Sequence, residues 1–334
     1  MSSSDILRIS TQYTLYNAYA VLSLGILGNI INILVFLRIK LFRGNRSVFF
    51  LIVESFSNVG YEIVSLILTI LTSVYGDDGT GRSDPWCKIK FMLAQVFLLI
   101  TYFMIGCASA DQFFSTHSYF NRQQCCTMKL ARYSAFIISF IWLIHSIAFA
   151  LFFNVEPSVG CVISNTNALR YATFFFYPVI AGFLPMIIAA LFSLFAFRNV
   201  RRIVRRQVPI VRRRLDRQMT AMVFTRVIFF ICLIFPYSFY RIYAINHPTS
   251  RTQPLPYAIA QLIQAIFLSL VRINSGVNFY IFVLTSSQFR RQVKFVLVKK
   301  CWKQIKRTLA GVNNQTAPNQ TEYEESHRES DKNA

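Results

Sequence analysis

Residues 88–112 read KIKFMLAQVFLLITYFMIGCASADQ, and from Phe91 to Ala110 no charged side chain interrupts the run. At 1.5 Å per residue, about 20 apolar residues cross the roughly 30 Å of hydrocarbon in a bilayer. Working outward, six further apolar stretches of similar length lie at 14–37, 48–73, 133–153, 172–197, 219–243 and 257–284. The whole chain of 334 residues is 54% hydrophobic and 15% charged, with 33 Phe. Ordinary soluble proteins are roughly 25% charged, and no globule of this size buries so much apolar surface. A soluble enzyme, a disordered chain and a disulfide-stapled secreted domain are therefore excluded, and the expectation is an all-α membrane protein with a bundle of seven transmembrane helices. Residues 1–12 carry neither a basic n-region nor a small-residue cleavage site, so the first span is expected to be retained.

Charge sets the orientation. Lys and Arg number four in 38–47, three in 114–132, nine in 198–217 and eight in 285–308, against one each in 1–13, 74–86, 154–171 and 244–255. The positive-inside rule places the first set in the cytoplasm and, with seven spans, the N-terminus outside. The expected divisions are an extracellular N-terminus at 1–13, the seven-transmembrane domain at 14–284, a cytoplasmic amphipathic eighth helix at 285–308 and a disordered cytoplasmic tail at 309–334. In the amphipathic stretch Phe289, Val293, Phe295, Val296 and Val298 alternate with Arg290, Arg291, Lys294, Lys299 and Lys300, a pattern suited to a membrane surface. The net charge of +21 in a soluble chain would suggest nucleic acid, but here the cations flank membrane spans and attract anionic lipids, so nucleic acid is not an expected partner.

Landmarks stand at fixed places in the spans. They are Gly28-Asn29 in the first, Cys87 at the start of the third with Asp111-Gln112-Phe113 at its end, and Trp142 in the fourth. Pro185 stands in the fifth, Phe230 and Pro236 in the sixth, and Asn274-Ser275-Gly276-Val277-Asn278-Phe279-Tyr280-Ile281-Phe282 in the seventh. The set, in this order, resembles the rhodopsin-like (class A) G-protein-coupled receptors over residues 14–302, as a divergent branch. Asp111 follows Cys87 by 24 residues, the spacing the family shows between its conserved Cys and the Asp of Asp-Arg-Tyr. Gln112 stands where the family has Arg, Phe113 where it has Tyr, Phe279 where it has Pro and Phe282 where it has Tyr, while Asn58 takes the place of a usual Asp. The resemblance implies a plasma-membrane receptor that couples an extracellular ligand to a heterotrimeric G protein, with Asp111, Gln112, Phe113, Asp216 and Phe282 in coupling and switching. Asp216 stands 20 residues before Pro236, where the family places the acid that holds the Arg of Asp-Arg-Tyr.

Of the seven cysteines, only Cys87 and Cys161 fall outside in this topology, where a disulfide can form, and the family has the same bridge. Cys107 and Cys232 read as small core residues, and Cys301 is a candidate for palmitoylation. Asn29, Asn58, Thr101, Asn274, Ser275 and Asn278 occupy mid-membrane positions and are expected to form one hydrogen-bonded cluster. Glu54, Glu62, Arg226 and Arg272 are ionisable and deep, so each needs a partner; the expected pairs are Glu62 with Arg272 and Glu54 with Arg226. Arg241 either snorkels outward or joins Ala94, Glu62 and Arg272 in the ligand cavity. Amine receptors carry an Asp where Ala94 stands, and opsins a Lys where Arg272 stands, so the resemblance disfavours amines and retinal. An Arg suits a carboxylate, which favours a peptide or another ligand with an anionic group. No His-rich metal spacing, Gly-rich phosphate loop or nucleophile triad is present, so no cofactor, metal or catalysis is expected. The alternative reading is a transporter or channel that uses the four deep charges as its pathway; missing repeat symmetry weighs against it.

Overall fold

Ser2 opens the first helix, its hydroxyl accepting the Ser4 N–H while the Asp5 carboxylate accepts the Ser2 N–H at 3.0 Å. This reciprocal cap starts α1 (Ser3–Arg38) well ahead of the apolar run. Residues 3–13, expected as the extracellular N-terminus, are helical and continuous with the first span. The computed structural model describes residues 2–39, 42, 44–75, 79, 82–116, 127–156, 159–203, 210–250 and 252–301. The tail at 309–334 and the side chains of Asp216 and Cys301 lie outside what it describes.

The elements that follow are α2 (Arg46–Tyr75), α3 (Asp84–Thr116) and α4 (Met128–Ala150), the last capped by Thr127, whose hydroxyl accepts the Leu130 N–H. A hairpin of β1 (Phe153–Glu156) and β2 (Gly160–Ile163) comes next, with Phe153 opposite Ile163. Phe153, assigned by hydropathy to the end of the fourth span, thus belongs to a strand. The fifth span, α5, begins at Thr166–Tyr171 under an Asn165 cap, widens to π-helical turns over Ala172–Phe183 and continues as Leu184–Ile203. Pro178 lies in the widened part and Pro185 just after it; a ring without an N–H loosens the ladder where it sits. α6 (Ile210–Asn246) carries Pro236, and α7 (Pro254–Gly276) starts on a proline. The seventh span is not continuous: it breaks at Val277 and resumes as α8 (Asn278–Thr285), although Phe279 stands where a proline would explain a break.

Seven of these helices are long and apolar enough to cross a membrane. α1 packs on α2 and α7, α5 on α6 and α6 on α7, while α3 runs among α2, α4, α5 and α6. Large apolar side chains such as Leu24, Phe136, Phe140, Phe174 and Phe239 face outward, as lipid-exposed surfaces require. Cys232 is among the outward-facing residues, which corrects its reading as a core residue; Cys107 is half-buried. α1 and α7 meet on glycines: a Cβ on Gly25 would lie 2.9 Å from the Gly276 Cα and 2.2 Å from the Glu62 Oε1. No other residue leaves room there for the Glu62 carboxylate.

At the end of the bundle away from the hairpin, the rings of Phe36, Phe42, Phe282 and Phe289 pack at centroid distances of 5.5 to 6.4 Å. The chain divides into two units, residues 1–289 and 290–334. The described part of the second is helical, completing α9 (Ser287–Lys294) and the turns Phe295–Cys301.

Candidate functional site

A cavity of about 1430 Å³ opens at the hairpin end. Its roof is fixed in three ways. A disulfide joins Cys161 of β2 to Cys87 in the first turn of α3, with Cα atoms 5.8 Å apart. The Val155 N–H donates to the Asp84 carboxylate at 2.7 Å, and the Phe153 ring stacks on Phe91 at 4.1 Å. Ser10, Thr11 and Thr14 of the extended α1 complete one wall.

Arg82, Lys90, Arg241 and Arg272 all line this space, and among its described lining residues there is no Asp or Glu. Arg241 points into the cavity: its guanidinium lies 5.5 Å from the Phe91 centroid and 5.3 Å from that of Tyr177. Ala94 and Arg272 also line it. Glu62 does not. It is fully buried toward α1, with the Asn29 amide donating at 3.5 Å to both carboxylate oxygens, and among the described residues it forms no ion pair with Arg272. The expected Glu62–Arg272 pair is thus absent, because Glu62 turns to the α1–α7 seam and Arg272 to the open space.

Beneath the cavity the mid-membrane polar residues form two groups instead of one cluster. In the first, Thr101 donates to Asn58 at 2.9 Å, the Asn58 amide lies 3.5 Å from Asn29, and Asn29 donates to the Ser275 carbonyl at 2.9 Å. In the second, Arg226 Nε meets Glu54 at 2.9 Å, Arg226 Nη1 donates to Asn274 at 2.7 Å, and Asn278 donates to Glu54 at 2.8 Å. Arg226 and Glu54 are both 0% exposed. The reason for the division is that each of two carboxylates, Glu62 and Glu54, gathers its own donors. The second group joins α2, α6, α7 and α8 in a single charged knot.

The sequence profile described as "7 transmembrane receptor (rhodopsin family)" matches residues 28–281, most of the chain. The chain belongs to the rhodopsin-like seven-transmembrane receptor family. No curated protein matches it.

In this receptor the triplet that replaces Asp-Arg-Tyr has its own partners. Asp111 pairs with Arg46 at 3.0 Å and accepts the Ser47 hydroxyl. The Gln112 amide donates to Ser47 at 2.8 Å, and its carbonyl oxygen accepts the Thr220 hydroxyl at 3.1 Å. Gln112 is thus tied to α6 through Thr220, a partner that the Asp216 reading missed. Phe113 packs its ring on Phe192 and Phe195 of α5. Trp142 packs against Phe103 with ring centroids 4.6 Å apart and the planes tilted by 42°, joining α4 to α3. Ser47, Thr220, Lys90, Tyr61 and Tyr177 were not singled out by sequence. Ser47 and Thr220 are ordinary hydroxyls in apolar helices, and only the fold brings them to Gln112. Lys90 had a signal, being a cation one turn inside the Cys87 end of the third span.

Proposed function

We propose that this receptor sits in the plasma membrane with its hairpin end outside, takes a ligand bearing an anionic group into the cavity, and activates a heterotrimeric G protein at its basic end. The observation that carries the ligand class is the charge of the cavity wall: four cations and, among the described lining residues, no carboxylate. Cations in a partly desolvated cleft attract and orient an anion far more strongly than in water. Ala94 offers an amine no carboxylate, and the guanidinium of Arg272 forms no imine with an aldehyde. The hairpin-end disulfide and the 24-to-4 excess of Lys and Arg on the other side both support the orientation.

The basic segment 198–217, of which 204–209 lie outside the described residues, is the natural docking surface for the G protein and for anionic lipids. Cys301 remains a proposed palmitoylation site. Transport is the weaker reading, since Glu54 and Arg226 neutralise each other inside the bundle and leave no continuous charged path with Glu62 and Arg272. A screen of acidic peptides, amines and neutral lipids, read by dissociation of G-protein subunits, tests the proposal. Acids should be active; a response confined to amines or neutral lipids would overturn the ligand class.

Signalling in this reading moves α6 away from its resting contacts, and two ties oppose that motion: Gln112–Thr220 and Glu54–Arg226. A neutral hydrogen bond contributes about 1 kcal/mol, equivalent to about fivefold in an equilibrium. Thr220→Val is therefore expected to raise ligand-free guanine-nucleotide exchange by about fivefold. Gln112→Ala should give a similar rise, and the double variant no more than either. Exchange that stays at the wild-type level in both single variants would contradict the tie.

A further inference from the structure

Two of the cavity cations, Arg241 and Arg272, have a measurable spacing. The rings of Tyr240 on α6 and Phe267 on α7 stack at 4.6 Å, nearly parallel, so they lie at one depth. Arg241 is one residue outward of Tyr240, and Arg272 is five residues inward of Phe267. At 1.5 Å per residue this sets Arg241 about 9 Å outward of Arg272 along the bundle axis. Side chains tip toward the N-terminus of their helix, but each Arg tips with its neighbouring ring, so the offset cancels.

The opposite wall gives the same answer. The Phe97 ring is level with Gly60, where a Cβ would lie 2.5 Å from it, and Tyr61 is the next residue. Phe91 is six residues outward of Phe97, which puts it about 8 Å above Tyr61. Arg241 lies over Phe91, and Arg272 is an electrostatic neighbour of Tyr61.

From this juxtaposition we infer that the receptor recognises a linear dianion, the carboxyl end of an acidic peptide. The C-terminal carboxylate sits on Arg272, and the side-chain carboxylate of the residue two or three positions earlier sits on Arg241. An extended chain advances roughly 3.3–3.6 Å per residue, so two to three residues cover about 9 Å. Both sites are guanidinium forks suited to bidentate carboxylate binding. A ligand with one anionic group satisfies only one of them. Phe91 and Tyr177 flank Arg241 and hold its guanidinium across the cavity, and the Lys90 ammonium, 5.7 Å from the same Phe91 ring, adds positive potential at that level.

This inference rests on the anionic-ligand reading, and the test separates the two. The probes are the N-acetylated tripeptide Glu-Phe-Ala with a free C-terminus, its C-terminal amide, the Gln-Phe-Ala acid, and the Gln-Phe-Ala amide. Affinity is read from the concentration dependence of the thermal unfolding shift of the purified full-length receptor. The dianion should bind at least about tenfold more tightly than either monoanion, and the neutral peptide weakest. In Arg272→Gln the preference for free acid over amide should vanish while the preference for Glu over Gln survives; Arg241→Gln should show the reverse. The variants Arg272→Lys and Arg241→Lys, which keep the charge, should retain both preferences at reduced strength and guard against a folding defect. If the dianion binds no better than the C-terminal monoanion, or if both preferences vanish together in one variant, the two-point site is wrong and the anionic reading stands. If all four peptides behave alike, the anionic reading falls with it.

Discussion

Glu54→Leu is expected to cost about 3–5 kcal/mol of stability, because it leaves the Arg226 guanidinium charged, fully buried and facing Asn274 alone. Arg226→Leu should cost a similar amount, because it leaves the buried Glu54 carboxylate charged with only the Asn278 amide donating to it and strips Asn274 of its donor. The double variant Glu54→Leu with Arg226→Leu should recover most of the loss, since two apolar side chains in place of a buried ion pair are often neutral in stability. Thermal unfolding of the detergent-solubilised protein and its surface level in cells both report this. Single and double variants with equal losses would mean that the two residues act separately, contrary to the 2.9 Å contact. The double variant should also show raised ligand-free nucleotide exchange, because α6 has lost its tie to α2 while the fold is preserved.

Loss of the disulfide ranks next. Cys87→Ala and Cys161→Ala should each lower stability by about 2–5 kcal/mol, and the double variant should be no worse than either, since one bond is removed in every case. The defect should concentrate at the hairpin end. Freed from α3, β2 no longer holds the roof over Lys90 and Arg241, so ligand response should fall further than expression. Losses that add in the double variant, or a full ligand response in Cys161→Ala, would contradict this account of the roof.

The physical reasons for what sequence reveals differ from element to element. Seven spans were legible because a bilayer demands about 20 apolar residues each, and hydropathy reports that demand directly. The extension of α1 to Ser3 was hidden, since its evidence is a polar cap at Ser2 and Asp5, which a hydropathy window ignores. The hairpin was hidden for a similar reason: Phe153 looks like the end of a span and Ile163 like part of a connection until their register is seen.

Within the site, depth was legible and azimuth was not. Counting residues along a helix places Glu62 one turn from Asn58 and Arg272 close to Asn274, yet it leaves open which neighbour each side chain turns to. The glycines at 25 and 276 admit the Glu62 carboxylate to the α1–α7 seam, a fact of close approach that spacing in one helix cannot express. Glu54 and Arg226 were matched as opposite charges that each required a partner. Their further contacts are with Asn274 and Asn278, which lie on either side of a break at Val277 that no proline at 279 announces. Gln112 was recognised as a departure from Arg, but its tie to Thr220 needed α6 to be in place.

The central claim is that occupancy of the outer cavity is converted into nucleotide exchange on a G protein, without passage of the ligand. Its most direct test reconstitutes the purified full chain with heterotrimeric G protein in sealed vesicles and measures guanine-nucleotide exchange and uptake of labelled acidic peptide in the same preparation. The account predicts faster exchange on addition of the peptide, no uptake, and loss of the response in Arg272→Gln. Uptake of the peptide with no change in exchange would contradict it.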